Sequence, residues 1–458
     1  MNYLLNTWFN KVDKFEKKIS FFSHNISYGR VLSVNNLIIE VTGIYLPIGN
    51  FCWVERIHKD ILSGIICKII GFKGKITFLA PMQHLDGVFP GSKVFSQYSM
   101  NNTIIDFNSF PFGYQLLGRV LDSYGYPLDN LEEIKSQKKP LNFFKASINP
   151  LQRSPITEIL DTGVRAINSL LTVGRGQRMG IFSQPGIGKS MLLGMISRHT
   201  NADIIVVSLV GERGREVKEF VDNILGVHSL KKSVVIVSPA DVSPILKIQS
   251  VQYATSIAEY FCKKNNHVLL IVDSLTRYAM AYREISNAMY EVPVLKGYPA
   301  SIFSNIPYLI ERIGNINPNG LGSITAFYTV LTEGDEYNDP ILDIAKSVLD
   351  GHIVLSNFLS EAGHYPAIDI EKSISRSMHS IINRDHYKNS IFLKKLISCY
   401  YRHNDLINLG VYSSGSNKLL DNAIKIWSNL EKFLQQKFLE RCSYTQSVLE
   451  LIALLKNI

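Results

Sequence analysis

At 458 residues, 46% hydrophobic and 19% charged, the chain is long enough for two or three domains with separate cores, which excludes wholesale disorder and a single small fold. The net charge of +9 admits nucleic acid, anionic lipid or acidic protein as partners, but the abundance of Lys, Asn, Ile and Tyr is what an AT-biased coding sequence produces, so charge decides little. No apolar run approaches bilayer length, and residues 1–20 mix Leu4, Leu5, Trp8 and Phe9 with lysines where a signal peptide would be continuously apolar, so a cytoplasmic protein is expected.

In chain order, residues 1–25 come first. Leu5, Trp8, Val12 and Phe15 fall at helical spacing with lysines on the other faces. An amphipathic helix that docks on a partner or touches anionic lipid is one reading; core packing or a disordered tail is the other. Residues 26–94 read as short β segments, GRVLSVNNLIIEVTG, CWVERI, GIICKIIGF and KITFLAP, with Gly and Asn between them. That rhythm predicts a small β-barrel domain.

Residues 95–379 alternate apolar runs with helical stretches. The runs are 177–183, 202–210, 233–238, 267–272, 323–331 and 351–356, with helices expected at 190–199 and 251–264. Continuous apolar strands joined by helical crossovers predict an α/β domain with a parallel sheet covered on both faces. Residues 380–458 contain no convincing strand; SIFLKKLISCYYR and NAIKIWSNLEKFLQQKF carry helical spacing, so a helical domain is expected. The five cysteines, Cys52, Cys67, Cys262, Cys399 and Cys442, lack metal-ligand spacing and are odd in number, which fits reduced thiols.

The strongest motif is Ser183-Gln-Pro-Gly-Ile-Gly-Lys-Ser190, which follows an apolar strand and opens a helix. That context is what a phosphate-binding P-loop requires. Gly186 and Gly188 let backbone N–H groups curve around phosphate, and the helix directs its positive dipole end at the same anion. The nucleotide-binding set is Gly186, Ile187, Gly188, Lys189, Ser190 and Met191, with Lys189 reaching the β and γ phosphates and the Ser190 hydroxyl a ligand for Mg2+. Ser183 departs from the general pattern, which has Gly there. Asp273 ends the apolar strand HVLLIVD, where a Walker-B acid holds Mg2+ through water. Glu212, in GERGRE after another apolar strand, has two open readings: a carboxylate that polarises the attacking water, or one member of a solvated charge run opening a helix.

These blocks carry a family resemblance. GERGRE, VDSLTRYAMAYREI, KGYPASIF, GSITAFYTVLTEGDEYNDPI and EAGHYPAIDIEKSISR, together with NPLQRSPI, LDTGVRAINSLLTVGRGQRMG and SPADVSP, resemble the catalytic subunits of rotary ATPases, and most of all the flagellar and virulence-type type III secretion ATPases. The resemblance spans roughly residues 25–455 and implies a RecA-like P-loop ATPase domain between the barrel and the helical domain. It implies that Glu212 is the catalytic carboxylate, with Arg213 and Glu216 near the phosphate and the metal waters, and that Asp273 is the Walker-B acid. Tyr365 would stack near adenine, and Arg376 would be an arginine finger reaching a neighbour's site. One chain holding both Glu212 and Arg376 implies a homohexamer of equivalent sites shared head to tail. The implied partners are a flagellar export regulator at the N-terminus, export gate proteins at the inner face of the membrane, and export chaperones and substrates.

Within the family, LLTVGRGQRMG and RSPITEILDTGVRAIN favour the flagellar over the virulence system. A different class with the same ATPase core is a Rho-like RNA translocase, for which the basic charge would suit. Residues 26–94 show barrel-like apolar strands without an RNA-reading motif, so no nucleic-acid partner is expected.

Overall fold

The computed structural model describes residues 28–58, 61–96, 109–134, 137–140, 149–315, 322–332 and 339–456. The N-terminal amphipathic segment expected over 1–25 lies outside the described residues.

Six antiparallel strands form a closed barrel: β1 (Tyr28–Val34), β2 (Ile39–Thr42), β3 (Phe51–His58), β4 (Ile61–Lys73), β5 (Ile76–Pro81) and β6 (Lys93–Ser96), in the order β1-β2-β5-β4-β3-β6. Alternation does the sorting. Ile65, Cys67 and Ile69 of β4 join Val31, Val41, Val54, Leu79 and Val94 inside the barrel. Ile66 and Ile70, on the other face of the same strand, pack with Phe51 and Ala80 against the core of the next domain.

That domain is built on an eight-stranded sheet. Its elements in chain order are β7 (Val120–Leu121), α1 (Arg165–Leu170), β8 (Arg178–Ser183), α2 (Lys189–His199), β9 (Ile204–Glu212), α3 (Gly214–Glu219), β10 (Ser233–Pro239), α4 (Pro244–Cys262), β11 (His267–Asp273), α5 (Leu275–Ala288), α6 (Ile302–Glu311), β12 (Ser323–Leu331), α7 (Pro340–Val348), β13 (Gly351–Leu355) and β14 (Ile368–Ser375). The order across the sheet is β14-β13-β8-β12-β11-β9-β10-β7. All neighbours are parallel except β13 and β14. The parallel sheet expected from the sequence is present, with one antiparallel strand added at its edge. The reason is legible in β14 itself, IDIEKSIS, which is half polar, with Glu371 and Lys372 exposed, instead of running apolar. Buried residues on the two faces of the sheet belong to two large cores, one shared with the barrel and one with the C-terminal helices.

The C-terminal region is helical: α8 (Arg384–Asn408), α9 (Lys418–Leu434) and α10 (Tyr444–Leu455). The helical pattern read through residue 438 stops at Leu434, and Gln435 turns to extended backbone. Arg165 of α1 ties this region to the sheet domain through Glu440 at 2.5 Å and Glu450 at 2.6 Å. All five cysteines are buried, and none of them is in a disulfide.

Candidate functional site

The loop 183–188 joins the carboxyl end of β8 to α2, and its conformation explains its composition. Gly186 and Gly188 have φ of 85° and 95°, a region in which a side chain is strained. Ser183 ends β8 outside that region and is buried, so the glycine of the general pattern is not needed there. Ile187 is buried in the core and pins the loop between the two flexible glycines. Gly188 caps α2 with no side-chain acceptor, so the first N–H groups of this 11-residue helix are left for an anion.

Parallel strands bring three charged side chains together at the same sheet edge. Lys189 Nζ hydrogen-bonds Asp273 Oδ1 and lies 3.6 Å from Glu212 Oε1. Asp273 is held from behind by the Thr329 hydroxyl, which donates to Oδ1 at 2.8 Å. Burial works against the Lys189 charge, but the attraction of Asp273 and Glu212 outweighs it and lifts its pKa above the ordinary value. In Glu212 the charged form is the one disfavoured. Burial first, then the Asp273 charge, push its carboxyl up to about 7, against the pull of Lys189; a hydrogen bond with Glu216 adds to the rise.

Of the other predicted residues, Ser190 is the second residue of α2, next to Lys189, and Met191 is exposed on the helix. Arg213 is not drawn in. Its side chain is 84% exposed and lies 3.9 Å from Glu216, itself half exposed in the first turn of α3. Tyr365 lies against the loop, its ring 3.3 Å from where a Cβ on Gly188 would stand, and its hydroxyl meets Ser360 Oγ at 2.9 Å.

Arg376 sits elsewhere. It follows β14, whose last residue Ser375 pairs with Gly351, which in turn pairs with Met179 near the start of β8. The phosphate loop is at the other end of β8, so Arg376 lies across the sheet, roughly 17 Å away at about 3.3 Å per residue. Its guanidinium is exposed and donates to the Lys346 carbonyl at 3.0 Å.

A cavity of about 690 Å³ opens beside the loop, lined by Gly186, Gly188, Met191, Tyr365 and residues beyond α9. Those last residues, Gln435, Lys437 and Phe438 among them, were missed by sequence reasoning. Their only signal was the end of a helical pattern, and no local rule marks a turn as the wall of a pocket. Volume and lining suit a purine and its ribose.

The nucleotide-binding domain of the ATP synthase alpha/beta family matches residues 163–375, and the T3SS EscN ATPase C-terminal domain matches residues 382–453. The flagellum-specific ATP synthase of Buchnera aphidicola subsp. Acyrthosiphon pisum is 55% identical over 444 residues, 97% of this chain and 94% of that one. That of Salmonella typhimurium is 50% identical over 448 residues, 98% of each. This chain belongs to the flagellum-specific ATP synthase family. It is thus an ATPase of the type III export class. The assembled ATPase EscN of the enteropathogenic E. coli type III secretion system has the same fold, with a TM-score of 0.85 at 38% identity over 93% of this chain and all of that one. At 55% and 50% identity, the two flagellar relatives named above are more similar to this chain than EscN is at 38%.

For this flagellum-specific ATPase, the raised Glu212 pKa gives a signed pH dependence. Below about pH 7 the free enzyme carries Glu212 protonated, and a neutral carboxyl cannot orient water as a base does. We expect kcat/KM to fall about tenfold per pH unit below that point. Glu212→Gln should still bind ATP, turn over at least about a hundredfold more slowly, and lose this limb of the profile. An acid limb unchanged in Glu212→Gln would assign it to another group.

Proposed function

We propose that this chain binds Mg-ATP at residues 186–191 and hydrolyses it at the interfaces of a homohexameric ring, and that the energy drives export of flagellar proteins. The observation that carries the reading is Lys189 held between Asp273 and Glu212, directly after Gly188, which lines a nucleotide-sized cavity. The two carboxylates compensate the lysine, and when ATP binds Lys189 turns to the β and γ phosphates. Glu212 then accepts a hydrogen bond from the attacking water. Tyr365 stacks on adenine.

The donor set suits magnesium. The Ser190 hydroxyl and the Asp273 and Glu216 carboxylates offer only oxygen, the hard ligand this ion prefers. Among the described residues no group of three or more His, Cys, Asp or Glu forms a protein cage, which fits an ion shared with the phosphates of its substrate. Magnesium, when bound, neutralises charge on the transferring phosphoryl group.

Arg376 cannot serve its own chain's loop across the sheet, which supports a role in trans, on ATP held by a neighbour. Arg213, next to Glu212 at the phosphate-loop end of the sheet, we assign to the phosphates of bound ATP. The ring reading is supported by EscN, solved as an assembled ATPase and in complex with its central stalk EscO, at a TM-score of 0.82 in the complex. We assign residues 1–25 to a flagellar export regulator, with a weak contact to anionic lipid. Export gate proteins, chaperones and export substrates complete the partners of a cytoplasmic enzyme peripheral to the membrane at the flagellar base. Among the described residues, no helix is long and apolar enough to cross a membrane.

A genetic exchange tests the flagellar assignment. A bacterium lacking its flagellar export ATPase should regain swimming with this chain and not with its Lys189→Ala variant. Rescue of a virulence secretion mutant, with none of the flagellar mutant, would reverse the assignment.

A further inference from the structure

The segment carrying Arg376 is fixed to the far end of the strand that ends in the chain's own phosphate loop. Asp350, between α7 and β13, accepts three hydrogen bonds from Arg178, the first residue of β8: from the backbone N–H at 3.0 Å, from Nε at 2.9 Å and from Nη2 at 2.9 Å. The Arg178 carbonyl accepts the Asp350 N–H at 2.9 Å, and the Asp350 carbonyl accepts the Arg376 N–H at 3.0 Å. Gln177, fully buried, donates to the Asp350 carbonyl at 3.3 Å and to Ser375 Oγ at 3.1 Å. The remaining Arg178 nitrogen, Nη1, reaches Glu311 at 2.7 Å.

We propose that Asp350, gripped by Arg178, is the positioning residue for Arg376 and links each subunit's phosphate loop to the arginine it offers its neighbour. The physical case rests on geometry. The Arg178–Asp350 pair is bidentate and charge-assisted, the strongest kind of side-chain hydrogen bond, with a third bond from the backbone. It is partly buried, so water competes with it poorly. Among the described residues nothing comparable holds the Arg376 side chain, which donates to the Lys346 carbonyl in the last turn of α7. Its reach is therefore set by where its backbone is anchored, and the anchor is Asp350. Because β8 is a rigid element between the loop and this anchor, a shift of the loop on binding nucleotide is carried to the finger that serves the next site.

This inference rests on the reading of Arg376 as a finger in trans, and the test separates the two. A misplacement of about 1 Å costs on the order of a hundredfold in rate, so Asp350→Asn should lower kcat between about tenfold and a hundredfold. Its affinity for a fluorescent ATP analogue should stay within about twofold, since its own loop is intact. Mixed with Glu212→Gln subunits, it should regain activity, because its sites keep Glu212 and receive a well-placed Arg376 from the partner variant. Arg376→Ala mixed with Glu212→Gln is the parallel arm. Recovery there without recovery for Asp350→Asn would overturn the positioning role alone. Failure of the parallel arm in verified mixed rings would remove the trans reading and this inference with it. Wild-type turnover by Asp350→Asn, or loss of its own ATP binding, also overturns the proposal. If that variant does not fold, Arg178→Lys carries the same test, since it keeps the charge and loses the paired geometry.

Discussion

Lys189→Ala should turn over ATP at least about a thousandfold more slowly than the parent chain, and should bind it at least about tenfold more weakly. The size follows from what the ammonium faces. It is the cation between Asp273 and Glu212. On the proposed reading it becomes a point charge on the phosphates of bound ATP, and one hydrogen bond to a charged group is worth about 1.5–3 kcal/mol, or roughly ten- to a hundredfold in affinity. The rate suffers more than the affinity because charge on the transferring phosphoryl group is redistributed in the transition state. Removing the lysine also leaves two carboxylates facing each other. Glu212, already raised to about 7, should then hold its proton still more strongly, which relieves the repulsion and spares the fold. Steady-state hydrolysis with binding of a fluorescent nucleotide checks both numbers. Turnover near that of the parent would remove the phosphate-loop assignment.

Arg376→Ala should lose about a thousandfold in kcat while its stability changes by less than about 0.5 kcal/mol. The contrast is the point. An exposed arginine whose guanidinium holds one carbonyl contributes little to folding. It can cost a thousandfold only if it acts on charge that appears during the reaction. Nucleotide binding by the variant's own loop should be unchanged, because that loop is at the opposite edge of the sheet. A variant that loses its own nucleotide affinity in parallel with its rate would place Arg376 in the wrong site.

The sheet strands were legible because parallel strands buried on both faces must be continuously apolar, and IIVVSLV and VLLIV admit little else. The phosphate loop was legible because few sequences place two glycines, a lysine and a hydroxyl between such a strand and a helix. Glu212 was not decided by its own surroundings: GERGRE serves equally well as a charged helix start. Only the register of β9 against β11 brings it to Lys189 and Asp273. Tyr365 against Gly188, and the turn beyond Leu434 that walls the cavity, depend on contacts between distant segments that leave no periodic trace. The Arg178–Asp350 grip is of the same kind, since nothing near either residue announces the other. The antiparallel edge strand β14 is half polar, which a search for apolar runs passes over.

The claim at the centre of this account is that each ATP site is completed by the next subunit, and mixing two inactive variants tests it most directly. Arg376→Ala subunits keep Glu212, and Glu212→Gln subunits keep Arg376. In randomly mixed rings about one quarter of the interfaces join the two intact groups. With mixed rings verified by differential labelling, single-turnover hydrolysis should reappear at a level neither variant reaches alone at the same total concentration. Verified mixed rings that remain as inactive as the separate variants would contradict the shared site.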